Sequence, residues 1–259
     1  MSSRSRTRER RRRRDEPELS IWERPEPGTR RPAYSRDQIA AVAIEIADAE
    51  GFQAVSMRRV ARELGAGTMT LYHYVRNKDE LIALVDDAIM GELLIPDGEM
   101  PDGWREALTA LARRTRDTFM RHPWIFEIPP LTEGGPNGAK HFEQTLVAVA
   151  GTGLELVDRI EVGSLVDDYV FGFVRRNQFL AGGQGSDPRQ MAAEFGEHAR
   201  EALATLDPED YPNVAAMFAD RDPEEVLAEL LERALGPERF ERGLELLLDG
   251  IERRIQREV

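Results

Sequence analysis

The 259-residue sequence predicts an all-α protein. In nearly every segment after residue 34, apolar residues recur at the spacing of one helical face, and breaks rich in glycine and proline separate these segments. The strand and helix alternation of an α/β fold does not occur. Because 41% of the residues are hydrophobic, the chain is long enough to bury a core in one large or two modest domains.

The first helix is predicted to begin at Ser35. Ser35 and Gln38 have the spacing of a capping box, and the segment "SRDQIAAVAIEIADAEG" carries one apolar face before it stops at Gly51. A second, shorter helix is predicted to start with Ser56 as its N-cap and to end at Gly65. We therefore expect two helices that are separated by a short connection.

A third helix is predicted to begin at Gly67 or Thr68, and a fourth at Asn77, which has capping-box spacing to Glu80. Two short helices joined by a tight glycine-containing turn, with a longer helix on each side, form a helix-turn-helix unit. The sequence thus predicts a three-helix N-terminal domain that spans residues 35–80.

The third helix carries the residue types expected of a surface that binds DNA. The stretch from Thr68 to Tyr74 contains hydroxyl groups, a histidine and a methionine but no acid, so nothing in it would repel phosphate. The alternative is that its aromatic residues only pack in a small bundle, which we accept for Leu71. For Tyr72, His73 and Tyr74 we favour DNA contact, because three consecutive helical residues cannot all point inward.

The segments "GFQAVSMRRVARELG" and "TLYHYVRNKDEL" resemble the TetR family of transcriptional regulators, and the resemblance spans residues 35–92. It implies that one arginine of the second helix reaches DNA, that two residues face base edges and that five others hold the phosphate backbone. In that order, these are Arg58; Thr68 and Met69; and Thr70, Tyr72, His73, Tyr74 and Lys78. The chain departs from many relatives in having Gly67 where they carry a serine or threonine cap.

The net charge of −13 is unevenly distributed along the chain. Residues 1–80 sum to +4 and residues 81–259 to −17, and eight arginines lie among the first fourteen residues. This arginine arm is either a disordered solubilising tail or an arm that neutralises DNA phosphates, and the sequence leaves both interpretations open. Residues 15–34 contain four prolines and no helical period, so we predict that residues 1–34 are a disordered basic arm and linker.

The rest of the chain, residues 81–259, is predicted to form a helical ligand-binding and dimerisation domain. Its predicted helices are 103–121, 139–150, 155–181, 188–206, 222–235 and 237–257. The family resemblance continues through "RHPWIFEIPP" and "VDDYVFGFVRRNQF" and implies an effector pocket and a homodimer formed by two helices of each subunit. We assign dimerisation to 155–181 and 237–257, whose apolar faces exceed what one small bundle requires. These faces contain Leu165, Val166, Tyr169, Val170, Phe173, Leu244, Leu247, Leu248 and Ile251.

Large apolar side chains and one amide are the candidates for binding the effector. They are Met120, Trp124, Phe126, Phe142, Phe171, Phe173 and Asn177. The alternative is that these aromatic residues form core, as they usually do in α-domains, and Phe173 is a candidate for both the pocket and the dimer. His122 and His141 could bind a metal that accompanies the effector, but they lack a fixed ligand spacing, so we expect neither a metal site nor a cofactor.

No enzyme motif is visible in the sequence. It contains no G-x-x-x-x-G-K-[ST], G-x-S-x-G or H-E-x-x-H motif and no cysteine. We expect a cytoplasmic, dimeric transcriptional repressor that binds a near-palindromic operator in double-stranded DNA and is released by a small organic effector, with no role at a membrane. The alternative is a small-molecule-binding protein whose helix-turn-helix no longer binds DNA, and the arginine arm, Arg58, Arg59 and Lys78 argue against it.

Overall fold

The computed structural model describes residues 19–27, 34–129, 134–180, 188–219 and 221–258. These residues form helices joined by turns and contain no β-strand, which confirms the predicted all-α class. The helices are α1 (Arg36–Glu50), α2 (Met57–Glu63), α3 (Thr68–Leu71), α4 (Lys78–Leu93), α5 (Trp104–Arg121), α6 (Pro136–Ala148), α7 (Leu156–Leu180), α8 (Pro188–Thr205), α9 (Pro212–Phe218), α10 (Pro223–Leu235) and α11 (Pro237–Glu258).

The predicted helix starts in the N-terminal region are confirmed by their caps. Ser35 forms the full capping box with Gln38, and the Ser56 hydroxyl accepts a hydrogen bond from the Arg59 N–H at 3.2 Å. The Asn77 side chain caps α4 through the N–H of Glu80 at 2.8 Å. That cap is not reciprocal, because the Glu80 carboxylate instead accepts the N–H of the preceding Arg76 at 2.7 Å.

Later helix boundaries agree with the sequence to within a few residues, with one additional helix. Helix α9 begins inside the segment "DPEDYPN", where the sequence predicts a break. Pro212 occupies its first turn, where the missing proline N–H costs no intrahelical hydrogen bond. The proline therefore starts a helix there instead of interrupting one.

The chain divides into two compact units, which are described separately. The first takes the described residues up to Leu94 together with Arg121–Phe142, and the second takes Ile95–Met120 and Glu143 onward. Helix α4 therefore packs with the helix-turn-helix, so that residue 80 lies inside the first unit. The functional division at residue 80 remains a prediction.

The core of the first unit gathers α1, α2, α3 and α4. Ile39, Val60, Leu71 and Val85 are at most 1% exposed. Burial of such a side chain contributes about 1.5–3 kcal/mol, so the four helices support one another although α3 has only a single turn. The single turn of α3 is thus held by tertiary packing.

Residues 19–27 differ from the predicted linker. They form a turn over Ile21–Arg24, and Ile21 is only 1% exposed. The prolines of this segment lie beside an isoleucine and a tryptophan, and the buried isoleucine supplies apolar surface that a solvated linker lacks. The prediction of a disordered linker is therefore wrong for residues 19–27, whereas the arginine arm at 4–14 lies outside the described residues.

In the second unit, α7 packs on α11 and α8 packs along α10. Helix α5 contacts α7 through Phe119 and Phe171, and it contacts α11 through Arg116, which lies over the Phe240 ring. Most of the apolar residues that we assigned to a dimer face are already buried within the single chain: Val166, Val170, Leu244, Leu248 and Ile251. Their helices pack against each other within one subunit, so these apolar faces are not available to a partner subunit. The apolar residues that α7 and α11 leave exposed are different ones, except for Leu165: they are Leu156, Val157, Ile160, Leu165, Phe171, Phe179 and Leu246.

Candidate nucleic-acid interface and effector-binding region

The predicted recognition helix is a single turn that depends on its neighbours. Gly65, which ends the segment after α2, has φ of 67°, a left-handed conformation that favours glycine. Helix α3 begins at Thr68, and Gly67 is its N-cap residue. Because glycine has no side chain, no side-chain hydrogen bond caps this helix. The tight turn between α2 and α3 that the sequence predicts is present.

Most of the predicted DNA-binding side chains lie together on the outside of this turn. Met69 is 75% exposed and Tyr72 is 41% exposed, and His73 is also exposed. Thr68 and Thr70 are half-buried. An exposed methionine beside hydroxyl groups can contact a thymine methyl in the major groove while the hydroxyls reach base edges or phosphates.

Tyr74 is the exception, and the prediction that its ring faces DNA is wrong. Its residue is only 5% exposed. Helix α3 ends at Leu71, and the N–H of Tyr74 donates to the Leu71 carbonyl at 2.9 Å in the following turn. A three-residue hydrogen-bonded turn places residues i and i+3 on the same side, so Tyr74 follows the buried Leu71 inward.

Two cations predicted to approach DNA, Arg58 on α2 and Lys78 at the start of α4, are exposed. Arg59, which we also counted in favour of DNA binding, is not available in the same way. Its guanidinium pairs with Glu50 at 2.7 Å and with Glu63 at 3.5 Å. The role of Arg59 in this structure is to join α1 to α2.

Two arginines that the sequence interpretation missed meet at the Tyr74 carbonyl, behind residues 68–73, which are the predicted recognition turn. Arg24 forms a bidentate ion pair with Glu80, with nitrogen–oxygen distances of 3.0 and 2.7 Å. Arg36 is buried, and its guanidinium donates to backbone carbonyls. Burial, followed by the nearby Arg24 charge, lowers the pKa of Arg36. Burial alone would raise the pKa of Glu80, but hydrogen bonds from Arg24 and from the Arg76 N–H lower it overall. The signal that could have revealed this site is the Ile-Trp pair at 21–22 inside a polar stretch.

The seven candidate effector residues are divided between the two units. Trp124, Phe126 and Phe142 belong to the first unit, whereas the other four belong to the second. Trp124 is 3% exposed, stacks on Phe52 with ring centroids 5.9 Å apart and donates its indole N–H to Asp48 at 2.6 Å. The prediction that Trp124 lines a pocket is therefore wrong, because its ring fills the core of the first unit. Phe126 is half-buried and Phe142 is 50% exposed.

His122 lies beside Trp124 between two carboxylates. Its Nδ1 is 2.7 Å from Asp48 and its Nε2 is 3.3 Å from Glu92, and its ring is nearly buried. These contacts link the segment after α5 to α1 and α4 within the first unit. Among the residues that the structure describes, no three histidine, cysteine or acidic side chains are arranged to hold a metal ion.

In the second unit, aromatic side chains connect α7 to its neighbours. Phe171 stacks on Phe119 of α5 with ring centroids 5.4 Å apart. Phe173 meets Phe240 of α11 edge to face, with ring centroids 5.0 Å apart. Met120 is 50% exposed. The Asn177 amide donates to the Phe173 carbonyl of its own helix at 3.0 Å, so this side chain is engaged locally.

Asp167 lies on α7 one turn from each of two close helix contacts. One turn earlier, Gly163 faces Thr145 of α6 so closely that a Cβ there would lie 2.6 Å from the threonine methyl. One turn later, Phe171 stacks on Phe119. Asp167 is thus a carboxyl on the side of α7 that faces α5 and α6, and burial, followed by the charge of Asp168, raises its pKa to about 6.

None of the described helices is long and apolar enough to cross a membrane.

Comparisons with known proteins match both parts of the chain to one family. The profile described as "Bacterial regulatory proteins, tetR family" matches residues 39–85, and the profile "Tetracyclin repressor-like, C-terminal domain" matches residues 96–255. The HTH-type transcriptional repressor DrrR1 of Streptomyces coeruleorubidus is 33% identical over 240 residues, which cover 90% of this chain and 83% of the relative. An HTH-type transcriptional regulator of Saccharopolyspora erythraea is 32% identical over 203 residues, which cover 77% and 81%.

Solved structures agree with this assignment. Apo ActR from Streptomyces coelicolor has a TM-score of 0.64 at 28% identity and covers 89% of this chain and 100% of its own. ActR in complex with actinorhodin has a TM-score of 0.62 at 29% identity, with coverage of 86% and 98%. The C-terminal profile match over more than half of the chain and the identity shared with DrrR1 show that this protein belongs to the TetR family of bacterial transcriptional regulators.

Proposed function

We propose that the protein is a homodimeric repressor that binds a near-palindromic operator through α2 and α3 and is released by a small organic effector. The observation that carries this proposal is that the acid-free stretch 68–73 exposes Met69, Tyr72 and His73. Exposed Arg58 and Lys78 flank this stretch. Within a TetR-family chain, that surface has the hydrogen-bonding groups and the charge that a major groove and its phosphates require. Because DNA is its partner, we expect the protein to act in the cytoplasm. Its membership in a family of transcriptional regulators supports the expectation that it has no enzymatic role.

Two such surfaces related by a two-fold axis would read two half-sites in successive major grooves. The apolar side chains left exposed on α7 and α11 support the dimer. Val157 and Phe179 of α7 are 76% and 84% exposed, and Leu246 of α11 is 73% exposed. Large apolar side chains exposed on adjoining helices are typical of a protein–protein interface.

For the effector we propose the part of the second unit around Phe171, which is 39% exposed, and the Asp167 carboxyl one turn away on the same helix. ActR, at 29% identity, has been solved with actinorhodin and with (S)-DNPA. We infer that the effector of this chain is a planar organic molecule with a hydrogen-bond donor or a positive charge for Asp167. Effector binding releases DNA only if the effector binds the released state more tightly than the DNA-bound state.

Fluorescence anisotropy tests the DNA-binding part of the proposal. A duplex selected by the wild-type protein from a randomised library should bind with an affinity that falls steeply as salt concentration rises, because phosphate contacts release counterions. Failure to select any duplex at low salt would favour the alternative of a ligand-binding protein without a DNA role. For the effector, native mass spectrometry of the purified dimer should reveal a retained small molecule that lowers the anisotropy of the bound duplex.

A further inference from the structure

The segment at residues 19–27 makes more specific contacts with the helix-turn-helix than a linker needs. Its buried side chain, Ile21, is accompanied by a local turn in which the Ser20 N–H donates to Glu23 at 3.1 Å. Two backbone carbonyls of the segment, those of Ile21 and Arg24, accept the Arg36 guanidinium at 2.7 and 2.8 Å. The segment is therefore fixed both by apolar burial and by charge-assisted hydrogen bonds.

The contacts of this segment converge on the end of the recognition turn. The Tyr74 carbonyl, which lies just after α3, faces the Nε of Arg36 at 3.4 Å and an Nη of Arg24 at 3.5 Å. Arg24 also holds the Glu80 carboxylate, which accepts the Arg76 N–H in the loop between α3 and α4. One guanidinium thus reaches both ends of the connection from α3 to α4.

The burial of these groups makes the arrangement costly to break. The side chains of Arg24 and Glu80 are only 13% and 15% exposed, and Arg36 is 9% exposed. Removal of one partner would leave a poorly solvated charge without its hydrogen bonds. A four-residue helix has little stability of its own, because helix formation requires the first hydrogen-bonded turn to be nucleated at a cost.

From this geometry we propose that residues 19–27, chiefly through Arg24, are a positioning element for the recognition turn. The segment fixes the Tyr74 carbonyl and Glu80, and thereby sets the orientation in which Thr68 to His73 meet the operator. Arg24 acts through these groups and does not contact DNA itself. The inference rests on the proposed role of the recognition turn in DNA binding.

Two variants release the segment by different routes. Arg24→Gln removes the ion pair, and Ile21→Ser removes the apolar burial without changing charge. Each protein is labelled with 5-fluorotryptophan, so that Trp22 in the segment, Trp104 in α5 and Trp124 in the core give separate fluorine NMR signals. A shift of the Trp22 signal alone then shows that the segment is released while both units remain folded.

With the selected duplex, we expect both variants to lose about tenfold in operator affinity, equivalent to about 1.4 kcal/mol, with an unchanged dependence on salt concentration. The matched control deletes residues 2–14 and keeps the segment, and any loss it causes should flatten the salt dependence. Addition of Glu80→Gln to Arg24→Gln should cost little more, since both changes break the same contact.

The proposal is overturned if the Trp22 signal shifts while operator affinity stays within about twofold of wild type. It is also overturned if Arg24→Gln lowers the salt slope by about 0.9, which would make Arg24 a direct phosphate contact. A simultaneous change of the Trp124 signal in both variants would assign the loss to unfolding of the first unit and count against a positioning role. If the wild-type protein selects no duplex at all, the proposed DNA-binding function fails instead.

Discussion

Replacement of Asp167 by asparagine should make the protein more stable at neutral pH. In the folded chain, burial and the charge of Asp168 raise the pKa of Asp167 from 3.8 to about 6. A folded-state pKa that lies one pH unit above the unfolded value corresponds to about 1.36 kcal/mol, so the ionised carboxylate destabilises the folded chain by at most about 3 kcal/mol. Because water reaches part of the side chain, we expect Asp167→Asn to raise the free energy of unfolding by about 2 kcal/mol at pH 7.5.

The size of the stabilisation by Asp167→Asn depends on pH. Well below pH 3.8 the carboxyl of Asp167 is protonated in both the folded and the unfolded chain, and the stability of the wild type is not reduced. As pH rises from about 4 to 6, the unfolded chain loses its proton first, and the folded state becomes relatively less stable. The difference between variant and wild type should therefore be near zero at about pH 3, grow from about pH 4 to 6 and approach its full value at about pH 7.

Urea unfolding at a fixed protein concentration measures this difference, since the stability of a dimer depends on concentration. Asp168→Asn is the matched control, because Asp168 is exposed and its charge is the smaller of the two causes that raise the pKa of Asp167. It should stabilise the protein by less than Asp167→Asn does. A difference between Asp167→Asn and wild type that does not change between pH 4 and pH 8 would refute the assignment of a buried, ionisable Asp167.

Three further predictions concern the DNA surface, the arm and the packing of α7. The double variant Tyr72→Ala with Lys78→Ala should lose about ten- to a hundredfold in operator affinity, and the slope of its affinity against salt concentration should fall by about one. Its effector affinity, measured by calorimetry, should stay unchanged. Unaltered operator affinity would contradict our assignment of the recognition surface. Deletion of residues 2–14 should weaken operator binding and flatten its salt dependence in anisotropy titrations, because fewer counterions are released; an unchanged slope would identify the arm as a solubilising tail. In urea unfolding, Gly163→Ala should destabilise the protein by about 1–3 kcal/mol, because the new methyl would meet the facing threonine. Gly172→Ala on the same helix has open space and should stabilise the protein by up to about 1 kcal/mol. Equal effects of the two substitutions would show that the close contact of α7 is not rigid.

The sequence interpretation failed where a local pattern was overridden by packing. Tyr74 belongs to an acid-free stretch with the residue types of a DNA surface, yet the helix ends at Leu71 and the following turn directs Tyr74 into the core. Trp124 has the size and apolar character of a pocket residue, and its ring instead stacks on Phe52 and donates to Asp48. In both cases the side chain lies where its apolar area is removed from water, and no residue pattern along the chain reports which neighbour will provide that environment.

The proline content of residues 19–27 led to the prediction of a linker and not of a packed segment. The stretch has the composition of a linker, but Ile21 is buried and the Arg36 guanidinium holds its backbone. Arg24 and its partner Glu80 are separated by 56 residues, so sequence spacing could not pair them. The two side chains meet only in the folded chain, where Arg36 of α1 holds the backbone of Arg24 and Glu80 lies on α4.

The sequence by itself determined the helical class, the capped starts of α1, α2 and α4, the glycine turn before α3 and the absence of acids on the recognition surface. These features depend on neighbours within a few residues, through periodicity, caps and backbone conformation. Only the tertiary structure decided which side chains are buried, that Arg24 and Arg36 meet at the Tyr74 carbonyl, and that Asp167 lies between two close helix contacts. Those outcomes depend on distant segments that share one core, where the loss of water sets both the packing and the charge of each group.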